Sequence, residues 1–548
     1  MSDKVLQLLQ KAETLKSSRL NFETEWQNVS EIFRPTKANV TVSRTPGEKE
    51  HIRRLYESFP ITAVSTLKSI IIGVFFNRSI KPIALSSGVE EINEDPEVAE
   101  WLTDFSDMML KQMFDPKSCF EQALSEAVQD DIVFGTIATQ IEEGSSHPVK
   151  YYSLPIENFC IAESKEGDVD YVVLMVKKTA RQIMQEWGGR VSLDESIIVA
   201  AKEQPFKEFP LQLHILPREE RDFDKIDISN KPIAGYWIDQ TNKVILEELG
   251  WDSMPIAVGR AEKATGEIYG TSRAMMALAD ARQLNDMSKQ INEITEIAAK
   301  PPLNVNADFN KRINLTAGAL NYPDQKSLRS GAPALEQIIT TGSIPLNYEL
   351  LDRKEQRIRE AFFLDKLKIF DDPNATATQV IELRAESFRI MGDFITGLIS
   401  YMDKVLNATF DILFRRVYDL NNNLVQGNGL FDKEIPILLR NNPNLKVEYI
   451  NPIAQSQKIT ESQAIDKWLT DVINLAQVNQ DVLDLINFDE VIRKKRQILN
   501  IDPELIMSKG RVSQIRGARQ EQQESQENMM ETQALAETAA KAKQGGLI

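Results

Sequence analysis

Cysteine, histidine and basic charge are all scarce in this chain. Two cysteines, Cys119 and Cys160, show no CxxC spacing, which argues against a disulfide framework and fits assembly in a reducing compartment. Three histidines, His51, His147 and His214, stand far apart, so a His-based metal centre or catalytic triad would need distant residues to converge. Lys plus Arg number 64 against 81 Asp plus Glu, a net charge of −17. A tight nucleic-acid clamp is usually basic, because phosphate neutralisation drives its affinity. An acidic wall along which DNA slides suits this balance better, since like charge opposes sticking. The most apolar run, Ser69–Phe76, is closed off by Lys68 and Arg78. It falls far short of the roughly 20 residues of a membrane span and reads as a buried helix or strand. The polar amphipathic opening is expected to be part of the fold and no targeting segment.

Nucleotide chemistry is missing as well. No GxxxxGK[ST] occurs, no glycine is followed by lysine, and GxGxxG is absent. Carboxylates do gather at Asp130-Asp131, at Asp168 with Asp170, at Asp222 with Asp224 and Asp227, and at Asp371-Asp372. Two-metal nucleases group acids in this way, so a metal-dependent DNA-processing enzyme is one alternative. With 81 acids in 548 residues, chance clusters are expected, and these four read as turns or solvated faces. No catalytic residue, metal ligand or cofactor is assigned. The basic run Arg493-Lys494-Lys495-Arg496 reads as a solvated helical face, with DNA contact as the other reading.

What the chain does have is enough apolar mass for several cores. At 548 residues, with 42% hydrophobic and 26% charged, two to four sub-domains are expected and global disorder is not. The fold class is α+β, mainly helical. Val5, Leu8, Leu9, Ala12 and Leu15 keep helical spacing; so do Phe22, Trp26, Val29 and Phe33, a second stretch ended by Pro35. Asp95-Pro96-Glu97 marks a helix start, and a helix from Phe120 to Phe134 should stop at Gly135. From Thr136 to about Gly259 the period becomes two in ATQIEE, VKYYSL, VDYVVLMVKK, LQLHILP, AGYWID and VILEEL, interrupted by a helix at Ala180–Trp187. A helix from about Thr376 to Leu420 would be roughly 65 Å long, with Gly392 and Gly397 as places to bend. Strands near Pro436–Leu439 and Leu445–Tyr449 are expected to rejoin the earlier sheet. Helix returns from Gln457 to Asn500. The Gln-, Ala- and Glu-rich tail from Ser508 is open between a solvated helix, an inter-subunit helical bundle and disorder.

The most informative block is Glu267–Tyr322. A helical run with the seam Leu284, Met287, Ile291, Ile294 and Ala298, spaced for packing on a neighbouring helix, stops at Pro301-Pro302. A small insert, Leu303–Ser343, follows, and then a second charged helix from about Asn347 to Phe370. This is a stalk with a tip.

Several runs, in order, resemble the portal, or head-to-tail connector, proteins of short-tailed bacteriophages. They are EWQNVSEIFRP (Glu25–Pro35), LYESFPITAVSTLKSIIIGVF (Leu55–Phe75), EIYGTSRAMMALADARQLNDM with AAKPPL and LTAGALNY, IREAFFLDKLKIF with TATQVIELRAE, and VEYINPIAQSQ (Val447–Gln457). Phe33 stands where the family is expected to have Tyr. The likeness covers roughly Glu25 to Asn500, and its specificity lies in the order and spacing of the pieces.

The resemblance implies a portal fold of wing, stem, clip and crown, assembled as a ring of twelve at one capsid vertex. It divides the chain into a wing (1–266), a first stem helix (267–300), a clip (301–345) and a second stem helix (346–366). A tunnel loop (367–378), a long inner helix (379–420), wing strands (421–455), crown helices (456–507) and the tail (508–548) follow. Implied partners are further copies of the chain, the large terminase subunit, tail adaptors, and major capsid and scaffolding proteins. Double-stranded DNA would pass through without sequence-specific contact; no membrane is involved. Location in the virion after assembly in the host cytoplasm follows from the same likeness. Lys366, Lys368, Phe370, Asp371, Asp372 and Asn374 would face the channel. Leu284, Met287, Ile291 and Ile294 would pack the stem, and Pro301, Pro302, Asn314, Tyr322 and Arg329 would belong to the docking clip. A non-portal virion adaptor or scaffold is the remaining alternative.

Overall fold

The N-terminal helix, Ser2–Phe33, runs 32 residues as a single piece. The two helical stretches seen in the sequence fuse because no glycine or proline stands between Leu15 and Phe22. The computed structural model describes residues 2–41, 54–76, 82–93, 95–144, 147–191, 193–222, 227–299, 303–305, 335–337, 344–367, 389–418, 423–425, 429–440, 445–449, 452–476, 486–499 and 511–519. Its strands, in chain order, are β1 (Ile83–Ser86), β2 (Thr136–Glu142), β3 (Lys150–Leu154), β4 (Phe159–Glu163), β5 (Val169–Thr179), β6 (Glu208–Pro217), β7 (Ile233–Asp239), β8 (Val244–Trp251), β9 (Ile256–Arg260), β10 (Leu303–Val305), β11 (Leu335–Gln337) and β12 (Lys446–Tyr449). The chain divides into two units, Met1–Asn77 with Phe114–Asp411, and Arg78–Met113 with Ile412–Ile548.

In the first unit an antiparallel sheet of order β4-β5-β6-β7-β8 stands beside a smaller sheet, β3-β2-β9. The N-terminal helix crosses the larger sheet. Val5 and Leu8 pack on Ala234, Tyr236 and Ile238, and one turn later Ala12 packs on Cys160 and Val173. Beyond them Arg19 is buried and donates to three backbone carbonyls, those of Ile156, Phe159 and Glu157, while pairing with Glu23 at 2.6 Å. Saturating the guanidinium in this way is what makes its burial affordable, because an unpaired buried charge costs several kcal/mol. The helix Phe120–Phe134 ends as its sequence indicates. Gly135 adopts φ +72, and a Cβ there would meet the Gly270 carbonyl at 2.7 Å, so only glycine fits.

The helix Gly392–Val417 lies on the smaller sheet through its residues up to Asp411. Tyr401 and Thr139 share a hydrogen bond of 2.6 Å, and Tyr151 and Thr409 one of 2.8 Å. Gly397 marks a close approach. A Cβ on it would sit 2.5 Å from the Arg260 carbonyl, so its missing side chain sets how closely helix and strand approach. Residues 379–388 of the expected long helix lie outside the described residues.

In the second unit Asp95 Oδ1 accepts from the amides of Glu97 and Val98 and starts the helix Pro96–Met113. Trp101 and Phe105 of that helix stack with ring centroids 5.1 Å apart and meet Tyr418 and Phe431. Two strand expectations are corrected here. Ile437–Arg440 is a short helix, and β12 pairs antiparallel with β1, from Ile83↔Tyr449 to Ser86↔Lys446, instead of joining the sheets of Thr136–Arg260. The apolar dipeptides of ILLR satisfy either period at this length, and a partner more than 350 residues away leaves no local trace. In the basic run, Lys494 is exposed and pairs with Glu461 at 3.5 Å, and the less exposed Lys495 pairs with Asp466, tying helix Phe488–Leu499 to helix Pro452–Ala476.

Candidate functional site: a helical stalk with a two-stranded tip

The stalk starts at a doubly used serine. Ser272 Oγ donates to the Val133 carbonyl at 2.7 Å and accepts from the Met275 amide at 3.0 Å. The first contact anchors the outgoing helix Arg273–Ala299 to the end of Phe120–Phe134, and the second caps it. Arg273 lies across the Phe363 ring at 4.3 Å and pairs with Glu262. The buried stripe along the helix is Ala274, Ala277, Ala281, Leu284, Ser288 and Ile291. Small residues at the base allow close packing against the returning helix Ile344–Ala361, and bulk grows outward.

Polar contacts hold the two helices and a strap in register. Lys354 reaches Asp280 at 2.7 Å and Arg357 reaches the same carboxylate at 3.6 Å. Residues 54–58 lie along the outgoing helix. The Tyr56 amide donates to Asn285 Oδ1 at 2.8 Å, the Asn285 amide group donates to the Arg54 carbonyl, and Ser288 Oγ donates to Glu57 at 3.2 Å. Glu57 also accepts from the amides of Ser58 and Phe59, at the head of the helix Phe59–Phe75. Desolvation first, and the neighbouring Glu57 second, push the Glu355 carboxyl above the usual range. None of these partners carries a sequence motif; Asp280 and Lys354 are 74 residues apart. At the tip, β10 and β11 pair antiparallel with Leu303 opposite Gln337 and Val305 opposite Leu335. An outgoing helix, a paired tip and a returning helix are therefore present in one chain.

The expected site residues fall into three groups. Leu284 and Ile291 are buried within the single chain, whereas Met287 and Ile294 on the flanks of the stripe are half-buried. A 3.6-residue turn rotates a 3,4-spaced seam, so only part of it can point at one neighbour. Lys366 lies in the short helix Leu364–Leu367 after Phe363, a residue held at φ 56. Lys368, Phe370, Asp371, Asp372, Asn374, Pro301, Pro302, Asn314, Tyr322 and Arg329 lie outside the described residues.

One acidic pair differs from expectation. Asp130 and Asp131 are buried, not solvated. Asp130 is clamped by Arg34 and, at 2.9 Å, by Lys37, whose ammonium is itself lowered to about 8 by burial and by Arg34. Among the described residues no cation pairs with Asp131, and burial pushes it up to about 7. Asp168, Asp222 and Asp227 are exposed, and Asp170 is half-buried. Asp224, Asp371 and Asp372 lie outside the described residues. Among the described residues no group of three or more His, Cys, Asp or Glu could hold a metal ion. His147 bonds the Val149 carbonyl at 2.9 Å; buried His214 faces Tyr171 at 2.9 Å and is lowered to about 4 by desolvation. Both are core histidines. Among the described residues no helix is long and apolar enough to cross a membrane.

The profile of a family described as "Bacteriophage head to tail connecting protein" matches residues 6–507. The chain is similar to a probable portal protein of Bordetella phage BPP-1, 24% identical over 546 residues, covering 97% of this chain and 94% of that protein. It is also similar to the portal protein of Salmonella phage epsilon15, 25% identical over 541 residues with the same shares covered. Among solved structures, a chain of the native gene transfer agent virion superposes with a TM-score of 0.38 at 11% identity, over 87% of this chain and 99% of that one.

Proposed function

The chain belongs to the bacteriophage head to tail connecting protein family, and from that premise we propose that twelve copies assemble into a portal ring at one capsid vertex. The ring is the channel through which double-stranded DNA is packaged and later ejected. The helices Arg273–Ala299 and Ile344–Ala361 serve as its stem, and the tip carrying β10 and β11 serves as its clip, where the large terminase subunit docks during packaging and tail adaptors dock afterwards. Residues 1–266 and 421–455 form the wing, facing the major capsid and scaffolding proteins, and 456–507 form the crown. The segment 367–378, which contains Lys368 and follows Lys366, lines the channel.

The observation that carries this reading is the out-and-back stalk in a chain with no nucleotide-binding motif. Such a chain offers a conduit and a docking tip to a separate motor. The net charge of −17, repeated around a ring, opposes adhesion of DNA to the wall, so phosphate contact falls to local rings of lysine. Negative-stain images and the native mass of the purified full chain test the proposal. Twelvefold rings with a central hole are expected; a monomer in both measurements under assembly conditions would overturn it. Within the ring, the double variant Lys366→Glu, Lys368→Glu is expected to assemble normally and to yield few DNA-filled heads.

A further inference from the structure

We propose that a groove on the larger-sheet face of the first unit binds an acidic amphipathic helix of a partner protein. The groove lies between helix Ala180–Trp187 and helix Glu195–Glu203, has a volume of about 310 Å³, and is lined by Arg181, Met184, Gln185, Ile198, Ala201 and Lys202. Both helices are firmly set. Thr179 and Gln182 form a capping box on the first, and Asp194 caps the second through the Ser196 amide at 2.8 Å. Ile183, Trp187, Ile197 and Ala200 are buried beneath them. What remains on the outer faces is a matched pair of i, i+3, i+4 stripes, Arg181-Met184-Gln185 and Ile198-Ala201-Lys202.

A third element is bonded to the start of the first helix. The amides of Ala180 and Arg181 donate to the carbonyls of Lys207 and Pro205, which holds the turn 204–207 across the start of the first helix. That turn carries Phe206, 74% exposed. Phe206 thus stands in a turn bonded to the backbone of Arg181, a lining residue, and adds exposed apolar surface near that of Met184, Ile198 and Ala201.

Charge selects the occupant. In a chain of net charge −17, the charged residues lining this groove are both cations, Arg181 and Lys202, and Lys207 stands in the adjoining turn. Among the described residues no ion pair engages any of the three, while the nearby Glu186 is already neutralised by Lys178. An apolar floor between Arg181 and Lys202, with Lys207 held over the Phe209 ring in the adjoining turn, fits a helix that presents an apolar stripe flanked by carboxylates. Duplex DNA would use the cations and leave the apolar floor without a partner.

The test is fluorescence anisotropy of the full chain with a labelled amphipathic Leu/Glu peptide of about 18 residues. Saturable binding is expected, weakened about tenfold or more by Phe206→Ser and by the double variant Arg181→Glu, Lys202→Glu. All three positions are exposed, so circular dichroism should match the parent chain. Absence of saturable binding, equal binding of a Leu/Lys peptide, or indifference to both variants would overturn the proposal. So would a short DNA duplex that binds in the peptide's place and is lost in the charge-reversed variant.

Discussion

Lys354 Nζ lies 2.7 Å from Asp280 Oδ1, joining the returning helix of the stalk to the outgoing one. Both side chains are largely covered, at 18% and 26% exposure, so the pair is screened less than a surface bridge. Arg357 stands by at 3.6 Å. Asp280→Ala therefore leaves the largely covered Lys354 without its carboxylate, while Arg357, 56% exposed, stays solvated; Lys354→Ala leaves Asp280 with Arg357. Asp280→Ala is expected to cost about 1–2 kcal/mol locally and Lys354→Ala roughly half that. Hydrogen exchange of amides in both stalk helices checks the order; equal effects would show that Arg357 does not substitute.

Two glycines of one helix should respond oppositely to alanine. At Gly397 an added Cβ meets a backbone carbonyl, that of Arg260, at 2.5 Å, and neither partner can swing aside. Gly397→Ala is expected to destabilise by roughly 2–4 kcal/mol and to lower the thermal midpoint. Among the described residues, nothing lies within 4 Å of the corresponding position at Gly392. Gly392→Ala should be neutral or stabilise by up to about 1 kcal/mol, as alanine does in a helix. A thermal shift assay of the two variants side by side decides it.

These two glycines also show where the sequence stops being legible. Spacing alone reveals that the helix exists, since its apolar stripes repeat, but whether a glycine bends a helix or seats it on a strand depends on what lies opposite. The helix Ala180–Trp187 was readable to the residue because its cap, its apolar face and its ending are all local. The strands β4 and β9 and the helix Glu195–Glu203 were not, being short and bounded by weak turn signals. The pairing of β12 with β1 and the burial of Asp130 depend on partners far along the chain. In the stalk, the seam was visible, yet its division into covered and flanking residues was set by the returning helix and by the strap at 54–58.

Asp131 should make stability fall with rising pH. Burial raises its folded pKa from 3.8 to about 7, while the unfolded chain keeps the ordinary value. Below about pH 4 both states hold the proton and nothing is lost. Between there and pH 7 the unfolded chain releases its proton first, so the folded state loses ground, and above pH 7 the full cost applies. Asp131→Asn removes the ionisation. It is expected to match the parent near pH 4 and to exceed it by about 2–4 kcal/mol at pH 8. Denaturant melts at the two pH values check this; a constant difference would mean that the asparagine changes packing alone.

Substitutions along the stalk seam should separate folding from assembly. Leu284 is fully buried inside one chain, so Leu284→Asp places an unpaired charge in a closed interface and should prevent folding, at a cost on the order of 4 kcal/mol or more. Met287 and Ile294 are half-buried, and each chain leaves part of their apolar surface uncovered. Met287→Asp and Ile294→Asp are therefore expected to keep the chain's circular dichroism and most of its thermal stability. What they should lose is the ring, because the same surface is proposed to meet a neighbouring copy. Native mass with circular dichroism on the same samples gives the answer. Folded monomers from Met287→Asp support the shared surface; normal rings from both variants would move the contact between copies elsewhere on the stalk.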